Sequence, residues 1–315
     1  MKPALHFAVT ILVLGLVRIA AAQPADPRDG LIGTWILGGI ERDGSSEATT
    51  RLRGQRGLLI LDGAGNVFEF FSTTSRNEPE VIQDDPLRTL ANFGGFWGTY
   101  EVDGDDAAIR FDSKDGVSPA VHALSFTRRY DLDGDVLVLV SGEEPQAQAN
   151  LQWTWQRMPT VENLSPAYRS VVGFWEHVEE RRVNLATGEV QGSTRRNPSV
   201  IVYTPSGFVG VHFPPRGREA FAGDTPSSDE AQAALRGYIG YFGTLGVYPG
   251  EVSHNILSGI SPGTGSILRR AAEITGDELV VTLQSGLPRA SDAGPRTAKQ
   301  VVLHRLSDAD DMLPR

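Results

Sequence analysis

Leu31-Ile32-Gly33-Thr34-Trp35 returns as Val171-Val172-Gly173-Phe174-Trp175, and this recurrence decides how the chain is read. Self-similarity at a steady offset signals duplicated units. Further pairs follow in the same order. Gly57–Gly65 (GLLILDGAG) corresponds to Ser199–Gly207 (SVIVYTPSG), and Phe96–Val102 (FWGTYEV) to Tyr241–Val247 (YFGTLGV). Near the ends of the copies, Gly134-Asp135 matches Gly276-Asp277, and Trp153–Arg157 matches Val301–Arg305. The collinear order makes this a duplicated domain. A chain of 315 residues also exceeds what one hydrophobic core usually serves.

Within each copy the apolar runs are short and bounded by Gly, Pro, Asp or Asn, the pattern of strands joined by tight turns. Asp62-Gly63, Asp103-Gly104, Asp133-Gly134 and Ser206-Gly207 are hairpin signals, because Gly accepts the positive φ such turns require. One helix interrupts each set: Asp224–Glu230 supplies cap residues for a helix over 231–239, and Asp85–Phe93 is its counterpart. The content of 35 Gly and 19 Pro fits many turns between short elements. About eight strands in roughly 140 residues, apolar on one face, predict a closed up-and-down barrel, which leaves no sheet edge exposed. Barrels of that size enclose one small ligand. The expected fold is therefore all-β, with two consecutive antiparallel barrels, each carrying a short helix.

The ends read differently. Lys2, the apolar stretch from Ala4 to Leu16 and Ala20-Ala21-Ala22 form a secretory signal with a small-residue cleavage site, predicted to cover residues 1–22. The expected organisation is then barrel 1 over 23–158, a linker over 159–170, barrel 2 over 171–307 and a tail over 308–315. The apolar stretch is shorter than a membrane span needs, and Arg18 interrupts it, so no stable span is expected after cleavage. The net charge of -10 opposes nucleic-acid binding. Without any cysteine, an exported chain must rely on apolar burial and sheet hydrogen bonds.

The Gly-x-Trp opening each copy resembles the lipocalin signature, in which the Trp closes the bottom of the barrel. The second copy is similar to the bacterial lipocalin-like domain family. Gly173-Phe174-Trp175, Ile201–Gly207 (IVYTPSG), Arg216–Phe221, Ala234–Gly243 (ALRGYIGYFG), Val252-Ser253-His254 and Gly276–Leu279 (GDEL) stand in that family's order. The first copy keeps Gly33-Thr34-Trp35, Phe96–Tyr100 and Asp133-Gly134-Asp135 and lacks the rest. The resemblance implies lipocalin-like barrels and no single activity.

The sequence has no phosphate loop and no His-Glu-x-x-His. Asp131–Asp135 departs from a calcium loop in its Gly position and lacks the terminal Glu, so it reads as a hairpin, and no metal site is expected. No cofactor is implied. The functional clue lies in the difference between the copies. By the local offsets His177, His212 and His254 correspond to Leu37, Phe70 and Ile109. His177 lies two residues after Trp175 and should share its inward face, with Glu179 following on that face. Tyr203, Tyr238, Tyr241 and Phe242 fit a pocket wall or helix packing. The candidate ligand-binding set is His177, Glu179, Tyr203, His212, Tyr241 and His254. Arg269-Arg270 could anchor a carboxylate, with at most one of the two entering the barrel, while the equivalent pair Arg128-Arg129 favours a structural role.

Three functions compete. The first is an exported binding protein for a small hydrophobic molecule. The second is an enzyme that isomerises, hydrates or cyclises a polyene or polyketide-like compound, with His254 or His177 as acid or base. The third is an envelope interaction or structural module.

Overall fold

The computed structural model describes residues 26–42, 56–73, 85–142, 151–195, 198–223, 225–283 and 297–313. The expected signal at 1–22 lies outside the described residues. The first barrel closes in chain order from β1 (Gly33–Arg42), β2 (Arg56–Leu61), β3 (Asn66–Ser72), β4 (Phe93–Asp103), β5 (Ala108–Gly116), β6 (Ser125–Asp133), β7 (Val136–Ser141) and β8 (Leu151–Arg157), with β8 returning to β1. The second uses β9 (Gly173–Asn184), β11 (Val200–Tyr203), β12 (Phe208–Phe213), β13 (Ile239–Tyr248), β14 (Glu251–Ser261), β15 (Ile267–Thr275), β16 (Glu278–Leu283) and β17 (Thr297–Arg305). Closure comes from β17 on β9, and a short extra strand, β10 (Val190–Thr194), lies along β9. Every strand pairing among the described residues is antiparallel.

Helix α1 (Pro86–Asn92) lies before β4, α2 (Pro166–Val171) before β9 and α3 (Ser228–Leu235) before β13. α3 begins earlier than the apolar spacing suggested. Ser227 and Glu230 form a reciprocal capping box that fixes its start, and Gly237 at φ 78° ends it, so 239 already belongs to β13.

The two barrels share one lock at their closed ends. The Trp35 indole donates to Leu31 O at 3.1 Å under the Arg157 guanidinium, 4.0 Å from the ring. Trp175 donates to Val171 O at 2.7 Å under Arg305, also at 4.0 Å. Gly173 has φ 132°, and a Cβ there would stand 2.0 Å from Ser307 O, so the chain enters the barrel only as glycine.

Ordinary barrel strands are buried on one face. β2, β3, β11 and β12 are buried on both. Their inner faces fill two separate cores, one around Trp35, Phe96 and Trp153 and one around Trp175, Tyr203 and Val211. Their outer faces meet in a third core between the barrels. There Leu58, Ile60, Phe68, Phe70, Phe93 and Trp97 pack with Phe174, Val200, Val202, Phe208, Tyr238 and Phe242. Gly210 permits the closest approach, since a Cβ on it would be 2.5 Å from the Phe68 ring. Polar contacts add to this face: the nearly fully buried Arg218 donates to Asp115 Oδ1 at 3.1 Å and to Gly116 O at 2.7 Å. Ala309 and Met312 also join the shared core, and Gly63 N donates to Asp311 O at 2.7 Å, so the segment after β17 is tied back onto the first barrel.

Candidate functional site

The two interiors follow the same ladder. From each Trp, opposed residues run Trp35, Leu59, Glu69, Phe96 around the first barrel and Trp175, Ile201, Val211, Tyr241 around the second. Farther round, Ile109–Arg128 and Phe111–Phe126 correspond to Val252–Arg270 and His254–Leu268. Directly opposed residues share a face of the sheet. The register corrects one sequence pairing: the counterpart of His254 is Phe111, not Ile109. The turn between β4 and β5 is longer than that between β13 and β14, so the offset falls across it.

The first interior is filled by aromatic rings around one ion pair. Arg128 Nη1 lies 2.6 Å from Glu69 Oε2, both side chains almost wholly buried, with the guanidinium 4.2 Å from the Trp153 ring centre. The second interior keeps neither the acid nor the two indoles. Val211 stands in the place of Glu69, Val301 and Leu303 in the places of Trp153 and Trp155, and His254 in that of Phe111. Two indoles are thus exchanged for smaller aliphatic side chains, and polar groups enter.

Three expected residues come together there. Tyr241 Oη lies 2.8 Å from His254 Nδ1, and Tyr203 Oη lies 3.2 Å from His254 Nε2. A neutral imidazole has one donor and one acceptor nitrogen, so one tyrosine donates to it and the other accepts from it. Burial drives the His254 pKa down to about 3, and the positive charge of Arg270 pushes the same way. Burial raises both phenols, with Arg270 opposing. The cluster is therefore neutral across the physiological range and presents hydroxyl and imidazole groups within an apolar wall. General acid–base work asks for a pKa near the working pH, which His254 in this setting does not have.

The remaining candidates lie elsewhere. His177 faces the same interior, opposite Leu303, and stacks on Phe213 with ring centres 5.2 Å apart. His212 points out of the barrel into the shared core. Its Nε2 donates to Glu69 O at 2.9 Å, and its Nδ1 accepts from the Tyr238 hydroxyl at 2.5 Å. Its pKa is pushed down to about 4, mainly by burial. Glu179 does not share the face of His177. A bulge lets His177 oppose Leu303 while Glu179 opposes Val302, so the alternation reverses at Val178. Glu179 instead accepts from Arg181 Nε at 3.0 Å beside an outer groove that Arg195 and Ser193 also line.

The bulge brings in a residue the sequence reading passed over. Glu180 opposes the core residue Val301, is mostly buried and pairs with Lys299 Nζ at 2.7 Å. Its counterpart in the first barrel is the core residue Ile40, a signal the aligned copies carried. The register also decides between Arg269 and Arg270. Arg270 opposes the core residue Val252, so of the Arg269-Arg270 pair it is the inward member. Among the described residues it has no carboxylate partner, and its guanidinium donates to Arg269 O at 3.1 Å.

Two consecutive closed barrels of eight antiparallel strands, each sealed by a Gly-x-Trp lock under an arginine, define a tandem lipocalin-like protein. Residues 172–305, spanning the second barrel, match the model of a family described as a lipocalin-like domain. Among curated proteins none matches. A solved structure from Bacteroides fragilis NCTC 9343, provisionally described as an outer membrane protein, is aligned over 89% of this chain and 99% of its own at 10% identity. Its TM-score of 0.23 is too low to bear on fold or function. No helix among the described residues is long and apolar enough to cross a membrane.

Proposed function

We propose that this is an exported binding protein that holds a small hydrophobic molecule inside its second barrel. The observation that carries this reading is the exchange of interior groups between the copies. Where the first barrel packs Leu61, Phe96 and Phe111, the second places Tyr203, Tyr241 and His254 in one hydrogen-bonded cluster. A few convergent polar groups in an otherwise apolar interior are the usual make-up of a ligand site. His177 joins the same interior from β9. Export rests on Lys2, the apolar stretch from Ala4 to Leu16 and Ala20-Ala21-Ala22.

The test is native mass spectrometry of the full chain recovered from its host, followed by titration with a fluorescent apolar probe. A retained small molecule, or probe binding weakened about tenfold or more by Tyr203→Phe with Tyr241→Phe, supports the reading. A chain that carries nothing and binds no probe refutes it.

A further inference from the structure

The inward-facing charges of the two barrels do not balance in the same way. In the first, Arg128 meets Glu69 at 2.6 Å, and the pair is closed off by the rings of Phe96, Phe111, Phe126 and Trp153. In the second, the arginine persists as Arg270 and the acid is gone, because Val211 occupies the ladder position of Glu69. The other inward ionic pair there, Glu180 with Lys299, is already matched at 2.7 Å. His254 stays neutral, held between two phenol hydroxyls. Among the described residues Arg270 has no carboxylate partner, and it lies within electrostatic reach of Tyr203, Tyr241 and His254.

Arg270 is half-buried, and the part of its charge that faces the apolar interior is costly unless an anion or water answers it. In the first barrel the protein supplies that anion. We infer that in the second the ligand does: the molecule held there is an amphiphile with an apolar chain and a single carboxylate, whose oxygens meet the Arg270 guanidinium beside the Tyr203–His254–Tyr241 cluster. Arginine's planar fork fits a carboxylate through two parallel hydrogen bonds, and a phenol hydroxyl can donate a further one. The inference rests on the reading that the second barrel binds a hydrophobic molecule, and it adds the charge of that molecule's head.

The experiment compares three probes on the full-length protein: a fluorescent C18 polyene carboxylic acid, its methyl ester and the matching alcohol. The parent is expected to bind the acid about ten- to a hundredfold more tightly than the ester, the range for a hydrogen bond to a charged group. Arg270→Met should bring the acid-to-ester ratio close to one. Val211→Glu, which rebuilds the first barrel's internal acid, should do the same by occupying Arg270 from within, and it guards against a misfolded arginine variant. If the parent binds acid, ester and alcohol equally, the charge inference is wrong while the binding function stands. If the ratio persists in both variants, the carboxylate is held by another residue and the assignment to Arg270 falls. If none of the three probes binds, the binding function fails and this inference with it.

Discussion

Replacing His254 with Phe, the residue the first barrel carries at Phe111, separates two contributions of this side chain by their pH dependence. At pH 7 the substitution leaves the Tyr203 and Tyr241 hydroxyls without the imidazole, each loss worth about 1–3 kcal/mol when the group stays buried. Acid changes the comparison. In the unfolded chain the imidazole takes up a proton below about pH 6.5, whereas in the folded protein it resists until about 3. Between those values the unfolded state binds more protons, so stability falls as the pH falls, by about 1.4 kcal/mol per unit for one histidine. His254 therefore favours folding fully above about pH 6.5 and takes roughly 2 kcal/mol away between pH 6.5 and 4.5. The variant has no such loss. His212, with a pKa near 4, adds a slope of the same sign, and Asp62, raised to about 6 by burial, one of opposite sign. Both occur in parent and variant and cancel in the difference. Urea midpoints followed by tryptophan fluorescence from pH 7.5 to 4.5 should show the gap between the two proteins closing by about 2 kcal/mol. Parallel curves would mean that His254 is not a neutral, buried imidazole, and the account of the cluster would be refuted.

Two further substitutions probe the face between the barrels. Arg218→Ala removes the cation from a nearly fully buried pair and leaves Asp115 with His122 at 3.5 Å and the Gly116 amide; a loss of about 3 kcal/mol is expected in urea unfolding, and a loss under about 1 would show the pair to be incidental. Gly210→Val drives a side chain into the Phe68 ring and should cost about 1–3 kcal/mol by the same assay, with part recovered in the Gly210→Val, Phe68→Ala double variant; no recovery would place the strain elsewhere.

The barrels, their number and their closing Trp residues were legible because each rests on local signals: Gly-x-Trp, turn residues and strand-length apolar runs. The contact between the barrels had a signal too, and it was read only for strands. Leu58–Leu61 and Val200–Tyr203 are apolar without alternation, the mark of strands covered on both faces. Within the site, His254 was found because the copies differ there, and Tyr203 and Tyr241 because such phenols fit a pocket wall. Strict alternation placed Glu179 inside and left out Glu180, since a one-residue bulge at Val178 reverses the two faces and nothing in the local sequence marks it. His212 was a polar exchange at an outward position, where it serves the neighbouring barrel through Glu69 O. Arg270 needed the ladder, because the significance of an arginine depends on whether an acid stands across from it.

The face between the barrels also has the form of a twofold contact. Leu58 and Val200, Ile60 and Val202, Phe93 and Tyr238, and Trp97 and Phe242 are counterparts in the two copies, and all lie in the shared core. The same patch of each copy meets the same patch of the other, as in an isologous homodimer. In a homodimer every substitution appears twice, and a residue that opens one interior opens both. Two copies joined in one chain escape that constraint. One half can keep its internal salt bridge and its tryptophans as a rigid support, while the other gives up aromatic filling and an acid without loss of the contact that holds the pair together.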